Sequence, residues 1–351
     1  MRGREGFPGK GLTIEVRQMQ GFELPKLEEK IVEAVPFSKS EEDRWEHFVR
    51  SSNNGTLFHL RRFLSYHPQD RFRDHSLLFF KESKLLAVFP AVELQREGKR
   101  VLVSHAGASY GGFVVRSDLS LRDAFRLVWA LDRYARAQGF HAVEITEPPM
   151  IYLYRPSNYL DFALMQTGFA YKKREVSSVV PLDFGPDQVF SVFAESSRRA
   201  VRRALKYGLV VRESDEFSTF YRILQKNLKL RHNVKPTHSL PELLRLKELF
   251  PNEIRLYGAF LGSTMVAGVV LFVCNPRVTL AFYISHDEDY REYRGVNLLF
   301  YEIIRQAVGQ GFRFLDFGIF TVNMDPNWGL ARFKESFGAQ GVFRDTWHKV
   351  Y

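Results

Sequence analysis

The sequence is poor in cysteine and has no long uninterrupted apolar stretch. Its single cysteine, Cys274, has no partner for an internal disulfide. It closes the run "VVLFVC", which predicts a buried, inert thiol rather than a nucleophile. The longest apolar runs, at 77–80 and 265–274, fall far short of the ~20 residues needed to cross a bilayer, so no membrane span is expected. The opening "MRGREGFPGKGLTIEVRQMQ" lacks the apolar core of a secretory signal, and residues 1–30 read as a mobile tail on a cytoplasmic protein. A metal-ligand pattern is missing too. His59, His67 and His75 recur at a spacing that suits neither a helix nor a hairpin, and no second thiolate exists, so no metal and no tightly bound cofactor is expected.

What is present is enough for a large core. The chain has 351 residues, 45% of them hydrophobic and 15% aromatic, a length that suggests two domains. Fifty Lys and Arg against forty Asp and Glu leave a net charge of +10, which attracts polyanions or phosphorylated ligands.

The two halves share one pattern. In the first, "SLLFFKESKLLAVFPAVEL" folds back through Lys81–Lys84, and a second strand pair is expected in "RVLVSHAGASYGGFVV". Ser120 and Asp123 form a capping box ahead of a helix with apolar Ala124, Val128, Leu131 and Ala135; it stops at Gly139 and yields the strand "FHAVEIT". In the second, "IRLYGAFLGSTMVAGVVLFVC" turns at Gly262-Ser263 and "RVTLAFYIS" follows as a strand. A helix with Val296, Leu299, Phe300, Ile303 and Ala307 on one face then stops near Gly309 and Gly311 before "FRFLDFG". The reading is a duplicated α/β unit with a mainly antiparallel start, joined near Pro181 to Pro186.

Three stretches invite chemistry. Residues 107–111 fit the G-x-S-x-G pattern of a hydrolase nucleophile elbow, but Ser109 is followed by "YGGFVV" rather than by a helix, so the glycines read as bends or bulges in a β segment. In "SSRRAVRRALKYGL", Arg199, Arg202, Arg203 and Lys206 share one helical face with Arg198 at its edge, while Val201, Ala204 and Leu205 are expected on the other. That positive stripe suits phosphate binding or is a solvated face. In "NWGLARFKESFGAQ", Lys334 beside Phe333 is either a surface lysine or, if buried, a fixed charge for a developing oxyanion.

Taken together, "SSRRAVRRALKYGLVV", "LRHNVKP", "NLLFYEIIRQAVGQGFRFLDFGIF" and "WGLARFKESFGAQ", with "YGGFVV" and "VEITEPPMIY" in the first half, resemble the FemABX-like aminoacyltransferases of peptidoglycan cross-bridges and the wider FemAB-like tandem GNAT group. The resemblance implies two tandem GNAT-like domains, at 31–183 and 184–351, each a mixed, largely antiparallel sheet flanked by helices. It also implies acyl transfer to an amine of a cell-envelope precursor, with aminoacyl-tRNA or acyl-CoA as co-substrate. Lys334 would then stabilise the tetrahedral intermediate, Phe333 would line its channel, and Arg231 would bind acceptor phosphate. Acceptor binding falls on Tyr110, Gly111 and Gly112, tRNA on Arg199, Arg202, Arg203 and Lys206, and any CoA pyrophosphate on Arg291, Arg294 and Gly295, although the Gly-rich CoA loop of GNAT enzymes is reduced there to Gly295. Peripheral contact with a membrane is compatible with this reading. A non-catalytic RNA-binding or envelope-assembly protein is the alternative that keeps the arginine face but gives Lys334 no role.

Overall fold

The computed structural model describes residues 31–68, 70–232 and 235–351; the tail expected over residues 1–30 lies outside them. Residues 31–351 form one compact unit built on an eleven-stranded sheet and a four-stranded one.

The duplication expected from the sequence is visible in the strand pairing. Each half holds one parallel pair linked through a helix: Lys99–Ser104 with Ala142–Thr146 across the helix Leu121–Ala137, and Val278–His286 with Phe314–Ile319 across the helix Gly295–Gly309. The remaining pairs are antiparallel. Local signals account for the boundaries. Ser120 accepts from the Asp123 amide at the start of the first helix, and Gly139, at φ +69, ends it with a conformation that costs glycine nothing. The hairpin between Ile254–Leu261 and Thr264–Asn275 turns at Gly262, φ +60, as its sequence predicts.

One strand pair departs from expectation. Lys99–Ser104 belongs to the large sheet, whereas Val114–Val115 pairs with Lys84–Phe89 in the small one. The chain crosses between sheets through residues 105–113, where Gly111 lies so close to the preceding strand that a Cβ there would stand 2.6 Å from the His105 amide nitrogen.

The last strand fastens the halves together. Gln340–Val350 runs between Ala170–Pro181 and Ala142–Thr146, antiparallel to both, so the end of the second half completes the sheet of the first. Side chains do the same on one face. Phe58 of the first half packs against Tyr110 at 5.4 Å and against Phe272 of the second half at 6.1 Å, within a core that also takes in Tyr152, Phe220 and Phe250. Each fully buried phenylalanine stabilises the fold by roughly 1.5–3 kcal/mol, so this shared core binds the halves into a single body.

Candidate functional site

Asp316 sits in the strand Phe314–Ile319, fully buried, with four donors around its carboxylate. Ser177 Oγ (2.6 Å) and the Gly318 amide (2.7 Å) donate to Oδ1, while the hydroxyls of Tyr152 (2.8 Å) and Tyr110 (3.0 Å) donate to Oδ2. Every lone pair that faces the protein is used, which is the arrangement that lets a carboxylate lie away from water. Both tyrosines come from the first half of the chain, so the carboxylate also ties the halves together.

The same strand end holds Lys334. The helix Trp328–Glu335, capped by Asn327 accepting from the Leu330 amide, directs Lys334 inward, where it is 2% exposed. Its Nζ donates to the carbonyls of Gly318 (2.7 Å) and Ile319 (2.8 Å). Burial pushes the ammonium down to about 8, and the nearby Asp316 carboxylate opposes that fall. Gly318 links the two groups, since its amide donates to Asp316 and its carbonyl accepts from Lys334. An ammonium has three donors and two are taken by carbonyls, so one is left for a ligand oxygen.

A cavity of about 630 Å³ lies two strands away, and neither Lys334 nor any residue of Phe314–Ile319 is among the residues lining it. The helix Tyr159–Gln166 and the strands Ala170–Pro181 and Gln340–Val350 form its walls, with Leu160, Phe162, Tyr171, Phe343 and Trp347 as apolar surface. Val342, which lines it, is paired with Ser177, and Ser177 is paired with Ile319. Two strand steps put the cavity wall about 10 Å from the carbonyl that holds Lys334. The cavity is acidic at its far end. Glu147 Oε2 accepts from Trp347 Nε1 at 2.9 Å, and burial raises its carboxyl to about 8, with Asp161 and Asp345 adding repulsion. Asp161 is raised as well, chiefly by burial. Asp345 is engaged by Arg174 through two bonds of 2.8 and 3.0 Å.

The other residues singled out by sequence fall in three places. Tyr110 and Gly111 are interior, Tyr110 on Asp316 and Gly111 against the backbone of residues 104 and 105; Gly112 takes φ +82. Ser109 is in an irregular segment, its carbonyl accepting from Arg344 at 2.6 Å, and the next helix starts only at Leu121, so the elbow geometry is absent. Phe333 is half-buried and packs on Phe337 and Phe300. On the helix Glu195–Lys206, Arg199, Arg202, Arg203 and Lys206 are exposed while Val201 and Ala204 are buried. Leu205, expected on the inner face, is exposed instead, because the inward arc of this short helix is only wide enough for the small residues that pack on Gly295–Gly309. Arg203 approaches Glu292 at 4.0 Å and Tyr207 packs on Tyr293, which brings the arginine face beside exposed Arg291 and Arg294 and the start of the helix at buried Gly295. Arg231 is in the last turn of the helix Phe217–His232, but its side chain lies outside the described residues. Cys274 is buried, which pushes its thiol well up.

Sequence reasoning missed Asp316, Tyr152, Glu147 and Asp161. A lone carboxylate inside the apolar strand "FLDFG" was the available signal for the first. Among the described residues no group of three His, Cys, Asp or Glu side chains suits a metal ion, and no helix is long and apolar enough to cross a membrane.

Residues 191–347 match a family model described as an acetyltransferase (GNAT) domain. No curated protein matches the chain significantly in sequence. Among solved structures it is similar to FemX, at 16% identity and a TM-score of 0.69, over 91% of this chain and 97% of that one. It is also similar to L-PGS from Bacillus licheniformis (12% identity, TM-score 0.57, 88% and 91% covered). A tandem GNAT protein from the clavulanic acid biosynthesis pathway matches at 13% identity and a TM-score of 0.54, over 91% of this chain and 98% of that one. At these identities the likeness is one of fold, and that fold is a tandem GNAT architecture spanning most of the chain.

Proposed function

We propose that this protein is an acyltransferase that moves an aminoacyl group from aminoacyl-tRNA to an amine of a phosphorylated or nucleotide-linked cell-envelope precursor. The observation that carries the reading is Lys334, a buried ammonium with two of its three donors on carbonyls, about 10 Å from the wall of a cavity of about 630 Å³. The GNAT fold supports acyl transfer in general terms. The resemblance of its motifs to the FemABX-like aminoacyltransferases supports the aminoacyl form of it. In this reading residues 31–183 and 184–351 are the two GNAT-like domains, and the cavity receives the acceptor.

The chemistry needs orientation and positive charge. The acceptor nitrogen, once neutral, attacks the ester carbonyl; a C–N bond forms, the carbonyl oxygen becomes an oxyanion, and Lys334 donates to it. Collapse breaks the C–O bond to the ribose, and the proton released by the nitrogen leaves with the ribose oxygen. One such preorganised donor is worth about 10²–10³ in rate. Arg199, Arg202, Arg203 and Lys206 would hold tRNA phosphates on the exposed helix.

A second donor has its own support. Exposed Arg291 and Arg294 flank the N-terminus of the helix Gly295–Gly309, where acyl-CoA pyrophosphate would meet free amides and the helix dipole. Binding of mixed aminoacyl-tRNA and of acetyl-CoA, each across a salt series, separates the two. The proposal predicts tight, salt-sensitive tRNA binding that weakens when Arg199 and Arg202 become Ala. Saturable CoA binding with negligible tRNA affinity would move the donor to acyl-CoA, and binding of RNA by a protein indifferent to Lys334→Ala would make it a non-catalytic RNA binder.

A further inference from the structure

The cavity wall holds more carboxyl groups than cations free to pair with them. Three carboxyl groups line it, Glu147, Asp161 and Asp345, against two guanidinium groups, Arg116 and Arg174. Arg174 is committed to Asp345 by its two-bond pairing and lies over the Phe343 and Tyr171 rings, at 3.9 and 4.4 Å. Arg116 turns to Asp118 at 3.3 Å. Glu147 and Asp161 are left without a cation of their own among the described residues. Trp347 occupies one oxygen of Glu147, Asn158 donates to one oxygen of Asp161 at 3.3 Å, and Glu147 Oε1 takes no hydrogen bond from the described residues. Aromatic surface flanks the pair: Tyr171 packs on Trp347 with ring centroids 4.0 Å apart, and Phe162 lines the wall nearby.

From these two carboxyl groups without a cation partner in an aromatic-walled cavity we infer that Glu147 and Asp161 seat the ammonium group of an organic cation, a primary amine carried on an apolar body. Two carboxyl groups and aromatic faces are the chemistry that recognises such a cation. Its position matters to the reaction. The Glu147 amide is bonded to the Asp345 carbonyl, and Asp345 is three residues along its strand from Val342, itself two strand steps from Ile319. The seat therefore lies on the order of 14 Å from the carbonyls that hold Lys334. The nitrogen bound there is not the one acylated. It anchors the far end of the acceptor, so that binding energy remote from the reacting end orients it. This last step rests on the cavity being the acceptor chamber; the cation seat itself does not.

Binding is linked to protons. The groups facing Glu147 are Asp161 on its helix and Asp345, Arg174, Tyr171 and Trp347 on the two strands. With its carboxyl raised to about 8, Glu147 carries a proton at pH 7 that an incoming ammonium expels. Calorimetry of n-hexylamine binding at pH 7, in buffers of differing ionisation enthalpy and without any acyl donor, tests this. Expected is saturable binding, close to one proton released, a change in Trp347 fluorescence, and no comparable binding of n-hexanol or hexanoate. Glu147→Gln, which keeps an acceptor for Trp347, is expected to weaken binding roughly tenfold, the loss of one charge-assisted hydrogen bond, and to abolish proton release. Asp161→Asn should weaken it similarly. Hexanoate binding as well as hexylamine, no amine binding to the folded protein, or unchanged binding and proton release in Glu147→Gln would each overturn the inference. Amine binding as expected in a protein that transfers no acyl group would sink the proposed reaction and leave the cation seat standing.

Discussion

Replacing Asp316 by Asn removes one charge and leaves the shape nearly intact. The new amide must direct its NH₂ to one side of the site. On the Ser177 and Gly318 side it would meet the Gly318 amide, which can only donate, so the NH₂ turns toward the tyrosine hydroxyls, which can accept. Four charge-assisted bonds become neutral ones, a loss of roughly 1 kcal/mol each, offset in part by no longer burying the carboxylate. Lys334 meanwhile loses the negative charge that holds its ammonium up, so its titration moves further below about 8. The two charges make no direct ion pair, so their attraction adds to the hydrogen-bond loss, and about 3 kcal/mol in all is expected at pH 6, where Lys334 is charged in both proteins. The pH dependence has a definite sign. The coupling between the two charges exists only while Lys334 is protonated, so the deficit of the variant shrinks as pH rises through about 8, leaving the hydrogen-bond part alone. Urea unfolding followed by tryptophan fluorescence, repeated from pH 6 to 9.5, reads both quantities. A deficit below about 0.5 kcal/mol, or one that does not change with pH, would refute the coupling of Asp316 to Lys334.

Three further outcomes are expected. Ser109→Ala should leave stability within about 0.5 kcal/mol of the parent in urea titrations, whereas Gly111→Ala, whose Cβ would stand 2.6 Å from backbone atoms of residues 104 and 105, should lose well over that or fail to fold. Converting Arg199, Arg202 and Arg203 to Ala should reduce the slope of log affinity against log salt for tRNA by about 0.7–0.9 for each phosphate no longer neutralised, measured by filter binding; an unchanged slope would remove this face from the RNA site. Transfer activity should fall as pH rises above about 8, where Lys334 gives up its proton, and the pH profile of product formation would contradict the oxyanion role if it kept rising through that range while the donor ester stayed intact.

Local chemistry made much of the fold legible. The turns at residues 82–83 and 262–263, the serine cap at Ser120 and the stop at Gly139 all rest on interactions within a few residues, and all are where the sequence puts them. Pairings between distant segments carry no such signal. The strand Gln340–Val350 enters the sheet of the first half, and Val114–Val115 leaves it, because of register and close packing that only the assembled sheet determines. The candidate site follows the same division. Lys334 stood out by its aromatic neighbour, but its burial depends on a helix packed against a distant strand. Asp316 was written as one carboxylate in an apolar strand, while its four donors come from positions 110, 152, 177 and 318. Glu147 and Asp161 belong to different elements, and nothing in either element alone predicts that they share a cavity.

Product formation tests the central claim most directly. Purified protein would be incubated with isotopically labelled aminoacyl-tRNA, or with labelled acetyl-CoA, and with an extract of amine-bearing envelope precursors, and mass spectrometry would follow new amide bonds. The account predicts a labelled amide from aminoacyl-tRNA, formed about 10²–10³ times more slowly by Lys334→Ala than by the parent. Equal rates for the two proteins, or no labelled amide from either donor, would contradict it.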